Sequence, residues 1–126
     1  INPKKYSGFA AYSNAKLALI AVTLEQAERF AARGVSAVSM HPGIILGTRF
    51  GADIPKPVMV IMGGVARLFR MNSSLEQAAA RFVRAASGDA KSGTFFDQDK
   101  VGTPPTQALD AGFRAQLWQL LEETSK

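Results

Sequence analysis

The stretch on which the fold depends is YSNAK, residues 12–16, near the start of a long amphipathic pattern. Residues four apart on a helix lie one above the other on the same face, so the phenol of Tyr12 and the ammonium of Lys16 would point into one shared site. A nearby cation favours the phenolate, and a tyrosine so placed can pass a proton to or from a carbonyl or alcohol oxygen. The Y-x-x-x-K spacing alone is frequent in helices, so its meaning depends on the surrounding residues.

The residues around YSNAK predict a helix from Phe9 to Arg33 followed by a strand. Apolar residues recur along the helix at spacings of three and four and form one stripe, while charged residues are predicted to face solvent. The stripe consists of Leu17, Ile20, Leu24, Ala27 and Ala31, and the solvent-facing residues are Glu25, Glu28, Arg29 and Arg33. Gly34 follows where a left-handed residue ends a helix. The strand is predicted from Val35 to Met40, and so short a connection is typical of an αβ unit in a parallel sheet.

The turn His41-Pro42-Gly43 ends this predicted strand. Ligands of open α/β sheets bind beyond the carboxyl ends of the strands, so a cofactor contact is expected at this turn. His41 is the single histidine of the sequence and has no cysteine to accompany it, so we predict no metal site. A backbone hydrogen bond at the end of the strand is the more economical role for it.

The next segment, from Arg49 to Met71, predicts one or two irregular helices interrupted at Gly63-Gly64. The pattern leaves two interpretations open, a buried helix and a substrate-facing lid. Its continuous apolar run, Val58 to Met62, is far shorter than the roughly 20 residues that cross a bilayer, so no membrane span is predicted.

The last third of the chain predicts a helix, a short strand and a final helix. Ser74 and Gln77 have the spacing of a capping box, and the helix they begin should end near Gly88. Its predicted inner face consists of Ala78, Phe82, Ala85 and Ala86. Next come a strand at 93–96 and a polar loop at 97–105, whose two aspartates should lie in solvent. The last predicted element is a helix at 106–123, which packs Trp118. Two strands cannot bury four or five helices, so the sheet is predicted to be incomplete.

Composition excludes several classes of protein. The 126 residues are 47% hydrophobic and 20% charged, as in a single globular domain with a modest core. The absence of cysteine excludes disulfides and thiolate chemistry. The net charge of +5 comes from scattered basic residues, which argues against a nucleic-acid interface and suits a site for a small anionic ligand.

Taken in order, these features resemble the C-terminal half of a short-chain dehydrogenase/reductase, in particular its retinol-dehydrogenase-like and protochlorophyllide-reductase-like branch. The resemblance covers essentially all of the sequence in the right order. The residues that carry it are Tyr6-Ser7-Gly8-Phe9, Tyr12-Ser13-Asn14-Ala15-Lys16-Leu17-Ala18, His41-Pro42-Gly43-Ile44-Ile45, Ser92-Gly93-Thr94-Phe95-Phe96-Asp97 and the helix from Pro105 to Trp118.

The resemblance implies an α/β fold, the C-terminal part of a doubly wound Rossmann-type parallel sheet that binds NADP or NAD. About two strands and four or five helices of that fold would be present, without the N-terminal nucleotide-binding half. Residues 1–126 would be the catalytic half of one domain, with 49–71 as a substrate-side lid or helical insertion. The implied function is hydride transfer between the nicotinamide and a carbonyl or alcohol of a small, hydrophobic substrate. We expect a cytoplasmic protein.

The resemblance also implies roles for individual residues. Tyr12 would be the catalytic acid/base, and Lys16 would hold the nicotinamide ribose hydroxyls. The backbone beyond the turn would contact the nicotinamide carboxamide, which makes Pro42, Gly43, Ile44 and Ile45 cofactor-binding residues. The hydroxyl of Thr48 would also face the cofactor, although the family's threonine position corresponds to Gly47 here.

Two parts of the family pattern are not found in the sequence. No G-x-G-x-x-G turn follows a strand, and the family's catalytic serine is expected about a dozen residues before Tyr12, just ahead of Ile1. We therefore expect a piece of a longer enzyme, inactive on its own. The alternative is a non-catalytic, self-associating interaction module derived from this fold. A homodimer through the helix of Tyr12 and Lys16 is compatible with both, whereas cofactor binding separates them.

Overall fold

The computed structural model of the protein describes residues 7–45, 56–68 and 72–125, which form helices and short strands. The helices are α1 (Gly8–Arg29), α2 (Lys56–Leu68), α3 (Leu75–Ala86), α4 (Thr106–Leu109) and α5 (Ala111–Thr124). The strands are β1 (Ser39–His41), β2 (Ile44–Ile45), β3 (Asn72–Ser73), β4 (Phe95–Asp97) and β5 (Lys100–Val101). The predicted α/β class is confirmed.

Helix α1 confirms the predicted first element, with a shorter α-helical part. Its first turn is capped by Ser7, whose hydroxyl accepts a hydrogen bond from the Ala10 amide at 3.4 Å. The α-helix ends at Arg29, and a 3₁₀ turn continues to Arg33. Gly34 then has a φ of 71°, so the predicted left-handed stop is confirmed.

The buried face of α1 differs from the predicted stripe. Ala21 and Ala27 are buried, but Ala31 is exposed, and Glu25 is buried although it was expected in solvent. Glu25 is buried because two guanidinium groups, those of Arg29 and Arg114, bind its carboxylate. The apolar periodicity alone cannot show such pairing, since Arg114 lies 89 residues away.

The sheet is small and mixed, with the strand order β1-β4-β5. β1 and β4 run in parallel with Met40 opposite Phe96, and β5 returns antiparallel to β4. β1 begins at Ser39, later than predicted, and before it the Ala37 amide donates a hydrogen bond to the Ser92 hydroxyl. The loop predicted at 97–105 contains β5. β2 and β3 form a separate parallel pair.

The C-terminal part contains two helices where one was predicted. Asp110 separates them: its backbone is extended and its Oδ1 accepts a hydrogen bond of 2.6 Å from the Phe113 amide, which caps α5. α4 and α5 both pack against α1, and Ala108 is fully buried. Trp118 contacts Phe30 edge-on, with ring centroids 5.9 Å apart, so its packing role is confirmed.

Helix α3 begins at the predicted capping box, in which Ser74 and Gln77 exchange side-chain and backbone hydrogen bonds. Its inner face was only partly predicted. Ala78 is buried, but Phe82 is 57% exposed and Ala86 is exposed. Arg81 is buried instead, because partners from three other segments satisfy its guanidinium.

Helix α2 continues through Gly63 and Gly64 without the predicted interruption. The buried-helix interpretation is wrong for its described side chains: Val60 is 74% exposed and Leu68 is 78% exposed. A Cβ built on either glycine would meet no atom of the described residues within 4 Å, so close packing against that part of the chain does not explain them. None of the helices described here has the length and hydropathy needed to span a membrane.

Candidate active site

The two residues predicted to carry the chemistry are side by side on α1. Tyr12 and Lys16 are one helical turn apart, and Lys16 Nζ lies 5.5 Å from the centroid of the Tyr12 ring. Tyr12 is 46% exposed and Lys16 is exposed, so a bound molecule could reach both side chains. The arrangement can hold a proton-transferring phenol beside a cation with three N–H donors.

The predicted cofactor turn follows β1 directly, and α1 contacts this strand. Gly43 is buried with a φ of 89°, a conformation that favours glycine. Ile44 and Ile45 are half-buried and form β2, which pairs with β3. Four predicted residues, Pro42 to Ile45, thus lie at the carboxyl end of a parallel strand, where α/β proteins bind ligands. Thr48 and Gly47 lie outside the described residues.

A buried arginine that sequence reasoning missed holds this turn. Arg81 Nη1 donates to the Pro42 carbonyl at 2.6 Å and to the Ser73 hydroxyl at 2.5 Å. Its Nε and Nη2 donate to the two carboxylate oxygens of Asp99, at 2.9 and 2.6 Å. The sequence does contain a signal, because Arg81 follows Ala78 by three residues and therefore shares the inner face of α3.

Asp99 combines an exposed position with a fixed partner. Its side chain is 66% exposed, as predicted, but the carboxylate is not simply solvated, because Arg81 binds both oxygens. The hydrogen bonds from Arg81 lower the pKa of Asp99 below its usual value. Asp99 is therefore a partner of the turn-holding arginine and not an acid/base in its own right.

His41 ends β1, and its carbonyl accepts a hydrogen bond of 2.9 Å from the Gln98 amide. This confirms the backbone role that the sequence suggested. Among residues 7–45, 56–68 and 72–125, no group of three or more histidine, cysteine, aspartate or glutamate side chains is placed to hold a metal ion.

A groove of about 440 Å³ lies elsewhere, between α1 and α3 beside residues 35–38. Thr23, Phe30 and Ala85 are among the residues that line it. It lies at the amino-terminal side of β1, opposite to the end where α/β sheets bind ligands. Tyr12 and Lys16 do not line it, so we do not assign the active site to this groove.

Comparison with known proteins finds relatives of this chain among oxidoreductases. The chain is 31% identical to a WW domain-containing oxidoreductase of Drosophila melanogaster over 125 residues, which are 95% of this chain and 29% of that protein. It is 29% identical to human retinol dehydrogenase 13 over 119 residues, which are 91% of this chain and 36% of that protein. The chain thus spans about a third of the length of these curated relatives.

These two relatives are oxidoreductases by name, and both are short-chain dehydrogenases/reductases. The resemblance predicted from the sequence is therefore confirmed: the chain is a relative of the retinol-dehydrogenase-like members of the short-chain dehydrogenase/reductase family. No family model matches the chain. No solved structure matches it either.

Proposed function

We propose that the protein is an NAD(P)-dependent oxidoreductase that moves a hydride between the nicotinamide and a carbonyl or alcohol carbon of a small, hydrophobic substrate. The observation that carries the proposal is the pairing of Tyr12 with Lys16 on one exposed face of α1, with Nζ 5.5 Å from the ring centroid. The two oxidoreductase relatives support the same class of chemistry. A cytoplasmic location is part of the proposal.

In this proposal Tyr12 is the proton carrier. Its hydroxyl gives a proton to the substrate oxygen during carbonyl reduction and takes it back during alcohol oxidation. Lys16 places its positive charge on the same face of α1, 5.5 Å from the centroid of the Tyr12 ring. Because both residues are on one helix, the helical backbone sets the spacing from which their side chains project.

The residues present fit the nicotinamide end of a dinucleotide. Lys16 offers ammonium donors of the kind that bind ribose hydroxyls, and the backbone from Pro42 to Ile45 offers polar groups at the carboxyl end of β1. When bound, the dinucleotide supplies the hydride. The protein supplies the proton through Tyr12 and the orientation through Lys16 and the turn. Thr48 would add a hydroxyl on the same side.

The architecture in this proposal is the C-terminal, catalytic part of a doubly wound Rossmann-type domain. Parallel pairing of β1 with β4 supports it, because such sheets are built from parallel strands joined through helices. Residues 49–71 would form the substrate-side lid. The exposed apolar side chains of α2, such as Val60 and Leu68, suit contact with a hydrophobic substrate. Without a nucleotide-binding half, the 126 residues would be inactive alone.

A second candidate is a self-associating module without catalysis. It is favoured by two large apolar side chains on the exposed part of α1, Phe9 and Leu19, which are 78% and 59% exposed. A homodimer through α1 would cover them in an active enzyme as well. Isothermal titration calorimetry of the complete polypeptide with NADH and with NADPH separates the two candidates. The enzyme should bind a dinucleotide, whereas a module without catalysis should bind neither of the two.

The proposal is tested by replacing Tyr12 with phenylalanine in the complete polypeptide that contains these residues. Turnover of hydrophobic aldehydes and ketones, retinal among them, should fall by about 10²- to 10⁴-fold, while dinucleotide affinity is largely retained. The control is Ser13→Ala, which changes the neighbouring hydroxyl on α1 and should leave turnover unchanged. Undiminished turnover in Tyr12→Phe would refute the assignment.

A further inference from the structure

We infer that Arg81 is a positioning residue that holds the Pro42–Gly43 turn in the conformation that meets the dinucleotide. This inference rests on the proposed function for its ligand, but the hold itself is a feature of the described residues. Arg81 belongs to α3, outside the Tyr12–Lys16 helix and outside the turn. Its guanidinium is the point where α3, the turn after β1 and the turn after β4 are joined.

The N–H groups of the Arg81 guanidinium donate hydrogen bonds to three different kinds of acceptor. Nη1 donates to the Pro42 carbonyl at 2.6 Å and to the Ser73 hydroxyl at 2.5 Å, while Asp99 takes Nε and Nη2 in a bidentate pair. Arg81 is only 8% exposed, so water cannot easily replace these partners. Hydrogen bonds from a charged donor are roughly twice as strong as neutral ones, which makes the Pro42 carbonyl a firmly held point.

Packing restricts the turn in addition to hydrogen bonding. A Cβ at Gly43 would overlap the Ser73 hydroxyl and lie 3.3 Å from Arg81 Nη1, so the backbone there rests directly on the arginine and its partner. The Gln98 amide also donates to the His41 carbonyl at 2.9 Å. The turn after β4 is therefore attached at two points. Gln98 bonds to the His41 carbonyl directly, and Asp99 is connected to the Pro42 carbonyl through Arg81.

Only arginine can make this set of contacts. Its planar guanidinium presents N–H donors in fixed directions. Nε and Nη2 can therefore bind the Asp99 carboxylate while Nη1 donates to the oxygens of Pro42 and Ser73. A lysine would keep the charge, but its single ammonium cannot hold Asp99 in a bidentate pair and reach Pro42 in the same geometry. Asp99 is largely exposed, and its role here is to fix the plane of the guanidinium. Arg81→Lys thus separates geometry from charge.

The test compares Arg81→Lys with Arg114→Lys in the complete polypeptide. Both arginines are 8% exposed and both bind carboxylates, but Arg114 joins α5 to α1 through Glu25 and Glu28. The first measurement is amide hydrogen exchange of residues 43–45 without cofactor. The second is the Kd for NADH and NADPH together with kcat at saturating dinucleotide.

Arg81→Lys should speed exchange at residues 43–45 and raise the dinucleotide Kd by about 10- to 100-fold, the loss expected for a charge-assisted hydrogen bond. The kcat at saturating dinucleotide should change much less, because Tyr12 and Lys16 are untouched. Arg114→Lys should lower thermal stability without either effect. Equal exchange and equal Kd in the two variants would overturn the inference.

Two further outcomes keep the inference testable. If Arg81→Lys does not fold, Asp99→Asn replaces it, since Asp99 is 66% exposed and asparagine keeps its shape. This variant should shift exchange and Kd in the same direction by a smaller factor, and no shift would overturn the inference. If the wild type binds no dinucleotide, the proposed function fails and the cofactor part of the inference with it. The exchange comparison still decides whether Arg81 holds the turn.

Discussion

Arg114 Nε on α5 lies 3.3 Å from Glu25 Oε2 on α1, and both side chains are buried. The same guanidinium binds Glu28 at 2.6 Å through Nη2, but the Glu28 side chain is 64% exposed. Two carboxylates of α1 thus bind one arginine. The Glu25 carboxylate is buried, and the Glu28 carboxylate is exposed to solvent. The contact fixes α5 against α1 far from Tyr12.

The pair of carboxylates gives a prediction about stability. Glu25→Gln should lower the free energy of unfolding by up to about 3 kcal/mol, because it removes the buried carboxylate that pairs with Arg114 and leaves only the exposed Glu28 to balance that charge. Glu28→Gln should cost less than about 1 kcal/mol, as exposed ion pairs do. Urea unfolding of both variants checks this, and equal losses would contradict the assigned difference in burial.

Two left-handed glycines form a second comparison. Gly34→Ala at a φ of 71° meets no atom within 4 Å and should cost about 1 kcal/mol of backbone strain. Gly43→Ala at a φ of 89° adds a clash with Ser73 and should cost about 3 kcal/mol. Thermal unfolding gives the ranking. If Gly43→Ala is no less stable than Gly34→Ala, the turn relaxes to avoid the clash with Ser73 and the expected ranking is wrong.

The contact between Arg81 and Asp99 predicts a pH dependence. Arg81 lowers the pKa of Asp99 below its usual value of 3.8, so the ionised carboxylate stabilises the folded state. This contribution is complete above the unfolded-state pKa and is lost as the pH falls through the lower folded-state pKa. The stability difference between wild type and Asp99→Asn should therefore be constant near neutral pH and shrink below about pH 4.

Urea titrations of the two proteins across that range provide the measurement. Asp89→Asn is a suitable control, because Asp89 is exposed and its carboxylate accepts a hydrogen bond from the Ser87 hydroxyl. This variant also removes one exposed carboxylate, but it leaves the contact between Arg81 and Asp99 intact. A gap between wild type and Asp99→Asn that widens towards acid would reverse the sign and contradict the pairing.

Lys16 should behave differently from Tyr12 in the complete polypeptide. Lys16→Met removes both the cation beside the phenol and the donors proposed for the ribose, so dinucleotide affinity and turnover should fall together, affinity by about tenfold or more. Lys91→Met, a change at another exposed lysine, should alter neither. If Lys16→Met lowers turnover but binds dinucleotide normally, the ribose contact is wrong and only the electrostatic role remains.

Local signals in the sequence predicted the elements whose ends are set by nearby residues. Gly34 ends the first helix region as expected, and Ser74 with Gln77 begins α3, because these signals act within one turn of the chain. Tyr12 and Lys16 meet for the same reason. The hairpin at β4–β5 lacked the usual Asn-Gly or Asp-Gly signal, and Gln98 takes the left-handed conformation there, with a φ of 56°.

The charged residues in the interior could not be predicted from the local pattern. Glu25 and Arg81 are polar residues for which helical periodicity predicts exposure, and each is buried with a charged partner from a distant segment, Arg114 for Glu25 and Asp99 for Arg81. The sequence pattern predicts Asp110 inside one long helix. Its side chain instead accepts a hydrogen bond from the Phe113 amide and begins the helix α5. Long-range contacts therefore decide the positions of Glu25 and Arg81, and a local capping hydrogen bond decides that of Asp110.

The short hairpin between β4 and β5 limits where the protein can accept added residues. Exposed surface turns usually tolerate insertions, because the entropy of closing a longer loop grows slowly. This turn has two residues, and each is attached: the Gln98 amide to the His41 carbonyl, and Asp99 to Arg81 through both oxygens. One extra residue would break one of the attachments. An epitope tag or a circular permutation would therefore be tolerated poorly here, at a tip that exposure alone would recommend.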